Sequence, residues 1–191
     1  MYVPRVLRSA VIVLALAATA GAAPAPHLRF SPHADVKTLV KVGEVGFELD
    51  PWTPGDKPRP IVHMAAGAAK ELAALHDGAA AVVQAKTAIL VVDYPLNHPV
   101  ELKLAAAGKA FTRAELVKAV CDAYQQIYAE EEAASAVKTV PAGQRGTLQN
   151  RNTTEGPYGI WGHDLDDLDL VTIEVDKARS GDIYLMLRVD S

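Results

Sequence analysis

The stretch Phe111-Thr112-Arg113-Ala114-Glu115-Leu116 constrains the fold more than any other. Thr112 has the geometry of an N-cap, with Glu115 three residues on to reach back to it. Phe111 and Leu116 flank them as a hydrophobic staple, so the stretch reads as a capping box. The helix it opens is expected to run over 112–134. Leu116, Val117, Val120, Tyr124, Ile127 and Tyr128 recur at helical spacing and form one apolar stripe. A helix of this length with one apolar stripe needs a second layer to cover it. Cys121 lies on the edge of the stripe, which suits a small buried hydrophobe better than a reactive thiol.

Two hairpins offer that second layer. Ala88 to Asp93 is a compact apolar run rich in β-branched residues, the mark of a central strand. A turn through Pro95 and Pro99 leads to Val100, Leu102 and Leu104, which alternate with Glu101 and Lys103. Near the C-terminus Val171, Ile173 and Val175 alternate with polar residues, and so do Ile183, Leu185, Leu187 and Val189 after the Ser180-Gly181 turn. These elements predict an α+β fold. An antiparallel sheet of about four strands packs on the long amphipathic helix, and an Ala-rich helix over Ala65–Leu75 lies beside it. Gly78 is expected to stop that second helix after Asp77. A short strand is expected through Val45, Phe47 and Leu49. The five prolines and glycines between Asp50 and Pro60 make a loop, with Trp52 as its anchor. The single domain is placed at 61–191, after an irregular arm and Pro-rich loop over 23–60.

The first 22 residues read as a secretory signal peptide. Arg5 and Arg8 precede an apolar run from Ala10 to Ala20, and small residues follow it. That run is too short for a membrane span, which takes ~20 residues, so no stable membrane insertion is expected after cleavage. The destination is periplasmic or extracellular. Removing Arg5 and Arg8 leaves 17 basic side chains against 23 acidic ones, a net charge of −6. Nucleic acid rewards clustered positive charge and is a poor partner for such a surface. The one cysteine makes no internal disulfide, so the core alone must hold the fold.

Chemically capable side chains are densest from Tyr158 to Leu170. Gly159 and Gly162 bracket Ile160 and Trp161, a shaped turn carrying an indole. His163, Asp164, Asp166, Asp167 and Asp169 follow. Asp164 is expected to cap a short helical turn over Leu165–Leu168. His163, Asp164 and Asp167 are the candidate ligands for a divalent metal, although no cofactor is expected from the pattern itself. The spacing fails the calcium-loop template, because Asp169 stands where glycine is needed. Glu131 falls on the stripe of the long helix. Either it faces a site shared with His163 and Asp164, or the helix has outrun the core and Glu131 is solvated.

The Phe111–Leu116 and Tyr158–Asp164 stretches resemble a pattern found in small uncharacterised proteins. The resemblance covers roughly Val91 to Ser191. It implies a shared domain and carries no activity. Two functions follow from the residues. The first is an exported non-enzymatic module that binds a protein or small ligand through Tyr128, Tyr158 and Trp161. The absence of a Gly-x-Ser-x-Gly elbow, a His-Glu-x-x-His pair and a phosphate loop favours it. The alternative is a small secreted hydrolase, metal-dependent or acid/base, using Glu131, His163 and Asp164.

Overall fold

A computed structural model describes residues 29–30, 38–147 and 150–191. The signal-peptide stretch lies outside the described residues. In chain order the elements are β1 (Arg29–Phe30), β2 (Val40–Val45), β3 (Val62–His63), α1 (Ala68–Ala74), β4 (Ala81–Val83), β5 (Thr87–Val92), β6 (Val100–Ala105), β7 (Phe111–Thr112), α2 (Arg113–Ala134), β8 (Asp169–Lys177) and β9 (Ile183–Asp190). The main sheet runs β1-β6-β5-β9-β8-β2, with β3 also paired to β8, and β4 and β7 make a separate ribbon. Among the described residues no helix is long and apolar enough to cross a membrane.

Both expected hairpins form. Leu90 stands opposite Leu102 across β5 and β6, and Ile173 opposite Leu187 across β8 and β9. The α+β class holds, but the sheet is larger than four antiparallel strands: among the described residues it has seven, and β5 and β9 run parallel. Alternation within a hairpin fixes which face is buried and leaves open how one hairpin abuts another. Parallel neighbours need a long crossover, and the chain through α2 supplies one.

The domain also begins before residue 61. β2 pairs with β8, and Val45, Phe47 and Leu49 point into the core. Ahead of them the register shifts between Lys41 and Gly43, and Val40 and Val42 are exposed on this edge strand.

α2 starts as its sequence dictates. Thr112 Oγ1 accepts the Glu115 N–H at 3.2 Å, and the Glu115 carboxylate accepts the Thr112 N–H at 2.7 Å. Leu116, Val117, Val120, Tyr124 and Ile127 are all buried. Cys121 is buried too, and desolvation, helped by the charges of Glu71 and Asp122, pushes its thiol up to about 12. The Ala-rich helix is shorter than expected. A 3-10 turn over Met64–Ala66 precedes it, Gly67 at φ 79 breaks the run, and the helix ends at Ala74. Leu75 leaves it to bridge Leu49, and the His76 N–H donates to Glu48 O at 2.8 Å, so tertiary pairing overrides alanine's helix propensity.

Trp52 does not anchor the Pro-rich loop; it is 62% exposed. Arg59 does that work. Its guanidinium grips the buried Glu71 carboxylate of α1 through two bonds, at 2.6 and 3.1 Å, and also donates to Asp50 O and Ile61 O. Glu71 accepts the His63 N–H as well, so each buried charge is matched on several sides. Trp52 lies over this guanidinium from outside, 5.1 Å from ring centre to carbon.

Loss of the α2 cap is expected to weaken the whole domain. Thr112→Ala should lower the unfolding free energy by about 1 kcal/mol in urea titrations, without altering the slope.

Candidate functional site

Glu131 decides how the Tyr158–Leu170 region is placed. It is neither solvated nor turned toward His163: it is fully buried, near the end of α2. Its carboxylate accepts the N–H groups of Gly156 at 2.8 Å, Tyr158 at 2.8 Å and Gly159 at 3.3 Å. Burial by itself would raise its pKa. Hydrogen bonds from the Thr154 side chain and from those three amides outweigh it and hold the group below the ordinary carboxylate value. Only glycine fits at 156, since a Cβ there would lie 2.5 Å from the Glu131 Oε2. Ser135, just past α2, adds a further tie by accepting the Glu155 N–H.

The loop pinned by Glu131 then zips against the turn after β5. The Asn97 and His98 N–H groups donate to Gly159 O and Tyr158 O, and the Trp161 N–H donates to Pro95 O. Tyr158 and Ile160 are thereby buried and Trp161 is turned out, 36% exposed. Gly159 and Gly162 sit at φ 62 and 73, conformations that side chains disfavour, and so shape the turn on both sides of the indole.

The other candidates have separate partners. The Asp164 carboxylate is held by Arg145, at 2.6 Å, with Arg151 at 3.7 Å, and both guanidinium groups are nearly buried. Asp167 accepts the Asp164 N–H at 2.9 Å across the 3-10 turn Leu165–Asp167, which is shorter than expected. Asp169 meets His63 at 3.0 Å. No hydrogen bond joins Glu131 to His163 or Asp164, and among the described residues no three His, Cys, Asp or Glu side chains converge to hold a metal ion. Tyr128 donates to His163 O at 3.0 Å and carries the Arg151 guanidinium over its ring. Burial raises the Tyr128 pKa against the pull of Arg151, so it stays a donor. The Tyr158 hydroxyl donates to Glu130.

What the region presents outward is an aromatic trio. Tyr94 meets Trp161 edge to face with centroids 5.2 Å apart, and His163 lies 5.5 Å from Tyr94 and 6.0 Å from Trp161. Ser191 Oγ links the Tyr94 hydroxyl, at 2.8 Å, to His163 Nε2, at 3.5 Å. Sequence reasoning missed Tyr94, Arg145, Arg151 and Ser191. Tyr94 precedes a proline in a turn, which was a signal for a shaped loop. The arginines gave none.

The Glu131 contacts predict a pH dependence. A carboxylate whose folded pKa lies below the ordinary 4.5 adds stability above that value, and this is lost as pH falls through the folded pKa. Glu131→Gln should cost on the order of 2–3 kcal/mol at neutral pH, because a charged acceptor is lost. Its melting temperature should fall less steeply than that of the wild type as the solution is acidified below 4.5. No protein-family model, curated protein or solved structure matches the chain, so any functional reading rests on this geometry.

Proposed function

We propose that the protein is an exported, non-enzymatic binding module that meets its ligand on the face carrying Trp161. One observation carries this reading: a part-exposed indole stands on a turn fixed from beneath by buried charges. Buried charges need full sets of partners, and those of Glu131 are backbone N–H groups of the Trp161 loop. A surface held so firmly loses little freedom when a ligand arrives. Tryptophan and tyrosine are also the side chains that most often dominate binding surfaces.

The spacing of the trio narrows the mode of binding. Centroids 5.2 to 6.0 Å apart leave the rings in mutual contact, so a ligand lies across them and does not insert between them. Glu131 has no part in this reading, since its oxygens are taken by backbone donors. The stretch over 1–22 supports export.

A fragment screen followed by amide chemical-shift mapping on the purified protein tests the proposal. Bound fragments should shift Tyr94, Trp161, His163 and Ser191 together. Trp161→Ala should weaken them about tenfold or more while leaving the melting temperature nearly unchanged. Shifts centred on another surface, or affinity indifferent to Trp161→Ala, would defeat it.

A further inference from the structure

One edge of the sheet is only half covered. β1 meets β6 through two residue pairs, Arg29 with Glu101 and Phe30 with Val100. Among the described residues nothing pairs with residues 102–105 on that side. At the opposite edge the register of β2 breaks between Lys41 and Gly43, and a bulge of this kind blunts an open edge. β6 has no such break, since its register on β5 is continuous over Val100–Ala105. The phase of that ladder sets which groups face the edge. Ala106 stands opposite Lys86 by the same register, and its N–H donates to Lys86 O at 2.9 Å. Bonded and unbonded pairs alternate along an antiparallel ladder, so Leu102 and Leu104 bond to β5, while Lys103 and Ala105 turn their N–H and C=O groups outward. Beside them, between β6 and α2, opens a groove of about 320 Å³ lined by Leu102, Leu104, Phe111, Ala119 and Ala123. That is near the floor of the small-molecule range, ~300–1,000 Å³, and suits one or two side chains. The polar rim is already engaged. Lys118 pairs with Asp122, Glu115 accepts the Thr112 and Ala107 N–H groups, and Gln126 donates to Glu130. The occupant is therefore apolar and held by its main chain.

We propose that this edge and groove are the docking site of the chain's own residues 24–28, which lie outside the described residues and would prolong β1 along β6. Running the β1 register back sets Leu28 opposite Leu102, His27 opposite Lys103, Pro26 opposite Leu104 and Ala25 opposite Ala105. Directly opposed residues share a face, so Leu28 and Pro26 fall on the side of the groove. The prolines match the phase of the ladder. Pro24 and Pro26 fall at unbonded positions, where an edge strand turns its N–H groups away from its neighbour, so the missing donors cost the ladder nothing. Ala25 and His27 fall at the bonded positions and carry the donors that the outward carbonyls of Ala105 and Lys103 need. A slip of one residue would set both prolines against those carbonyls and turn Leu28 to the other face. Residues 24–28 are also joined directly to β1, so they act at an effective concentration that a separate peptide lacks.

Amide hydrogen exchange on the purified protein tests this. The Lys103 and Ala105 amides should be protected in the wild type. Leu28→Asp should speed their exchange about tenfold or more, and leave the Leu102 and Leu104 amides, bonded to β5, at their wild-type rates. General unfolding would move all four together, so the contrast within one strand isolates the docking. A second measurement uses paired cysteines. Pro26→Cys combined with Leu104→Cys should form a disulfide within one chain under mild oxidation, because unbonded opposed residues bring their Cβ atoms within about 5.5 Å. His27→Cys combined with Leu104→Cys places the two thiols on opposite faces and should form none. Rapid exchange at Lys103 and Ala105 in the wild type, or protection that survives Leu28→Asp, overturns the proposal. A Pro26→Cys, Leu104→Cys disulfide found between two chains would assign the groove to a second copy and overturn it as well.

Discussion

The Glu131 carboxylate is the constraint on which the placement of the Trp161 loop depends. It lies fully buried near the end of α2, and a charge there is tolerable only if donors surround it. The chain after Arg151 supplies them: Gly156, Tyr158 and Gly159 turn their N–H groups inward onto two oxygens. This fixes the height and phase of the following residues. Tyr158 and Ile160 fall inside, and Trp161 falls outside. The exposure of the indole is thus a consequence of where a carboxylate on a helix ended up, one element away.

The acidic run beyond it looks in one dimension like a single cation site. In three dimensions its carboxylates diverge. Asp164 pairs with the nearly buried Arg145 and lies near Arg151, Asp167 closes a 3-10 turn by accepting a backbone N–H, and Asp169 holds His63 across a strand pair. Each of these contacts locks a different piece of chain to the loop. Charge that could have been pooled for chemistry is spread out as fastening.

Local patterns in the sequence were faithful guides. The capping box at Thr112, both hairpins and the burial of Cys121 are each signalled by a pattern within one helix or one strand pair, and each stands as read. The parallel pairing of β5 and β9, the place of β2 in the sheet and the Arg59–Glu71 pair join residues far apart in the chain and leave no periodic trace. Glu131 shows the boundary between the two. Its position on an apolar stripe marked it as anomalous from the sequence, but the amides that resolve the anomaly lie 25 to 28 residues further on. Tyr158–Leu170 was likewise recognisable as a special stretch, while the roles of its side chains waited on partners elsewhere.

The departure from a simple antiparallel sheet is what brings Tyr94 and Ser191 to the Trp161 loop. Because β5 and β9 run parallel, their C-terminal ends lie together, and Tyr94 and Ser191 emerge side by side. β8, antiparallel to β9, must then begin at that same end, which draws in the Trp161 loop that leads into it. β3, antiparallel to β8, ends there and brings His63, with Trp52 beside it. Were β5 and β9 antiparallel neighbours, Tyr94 and Ser191 would leave at opposite ends and their contact would not form. The crevice outside the carboxyl ends of parallel strands is where open α/β sheets place their ligands. Here a single parallel pair within a mixed sheet is enough to gather Tyr94 and Ser191 at such an end.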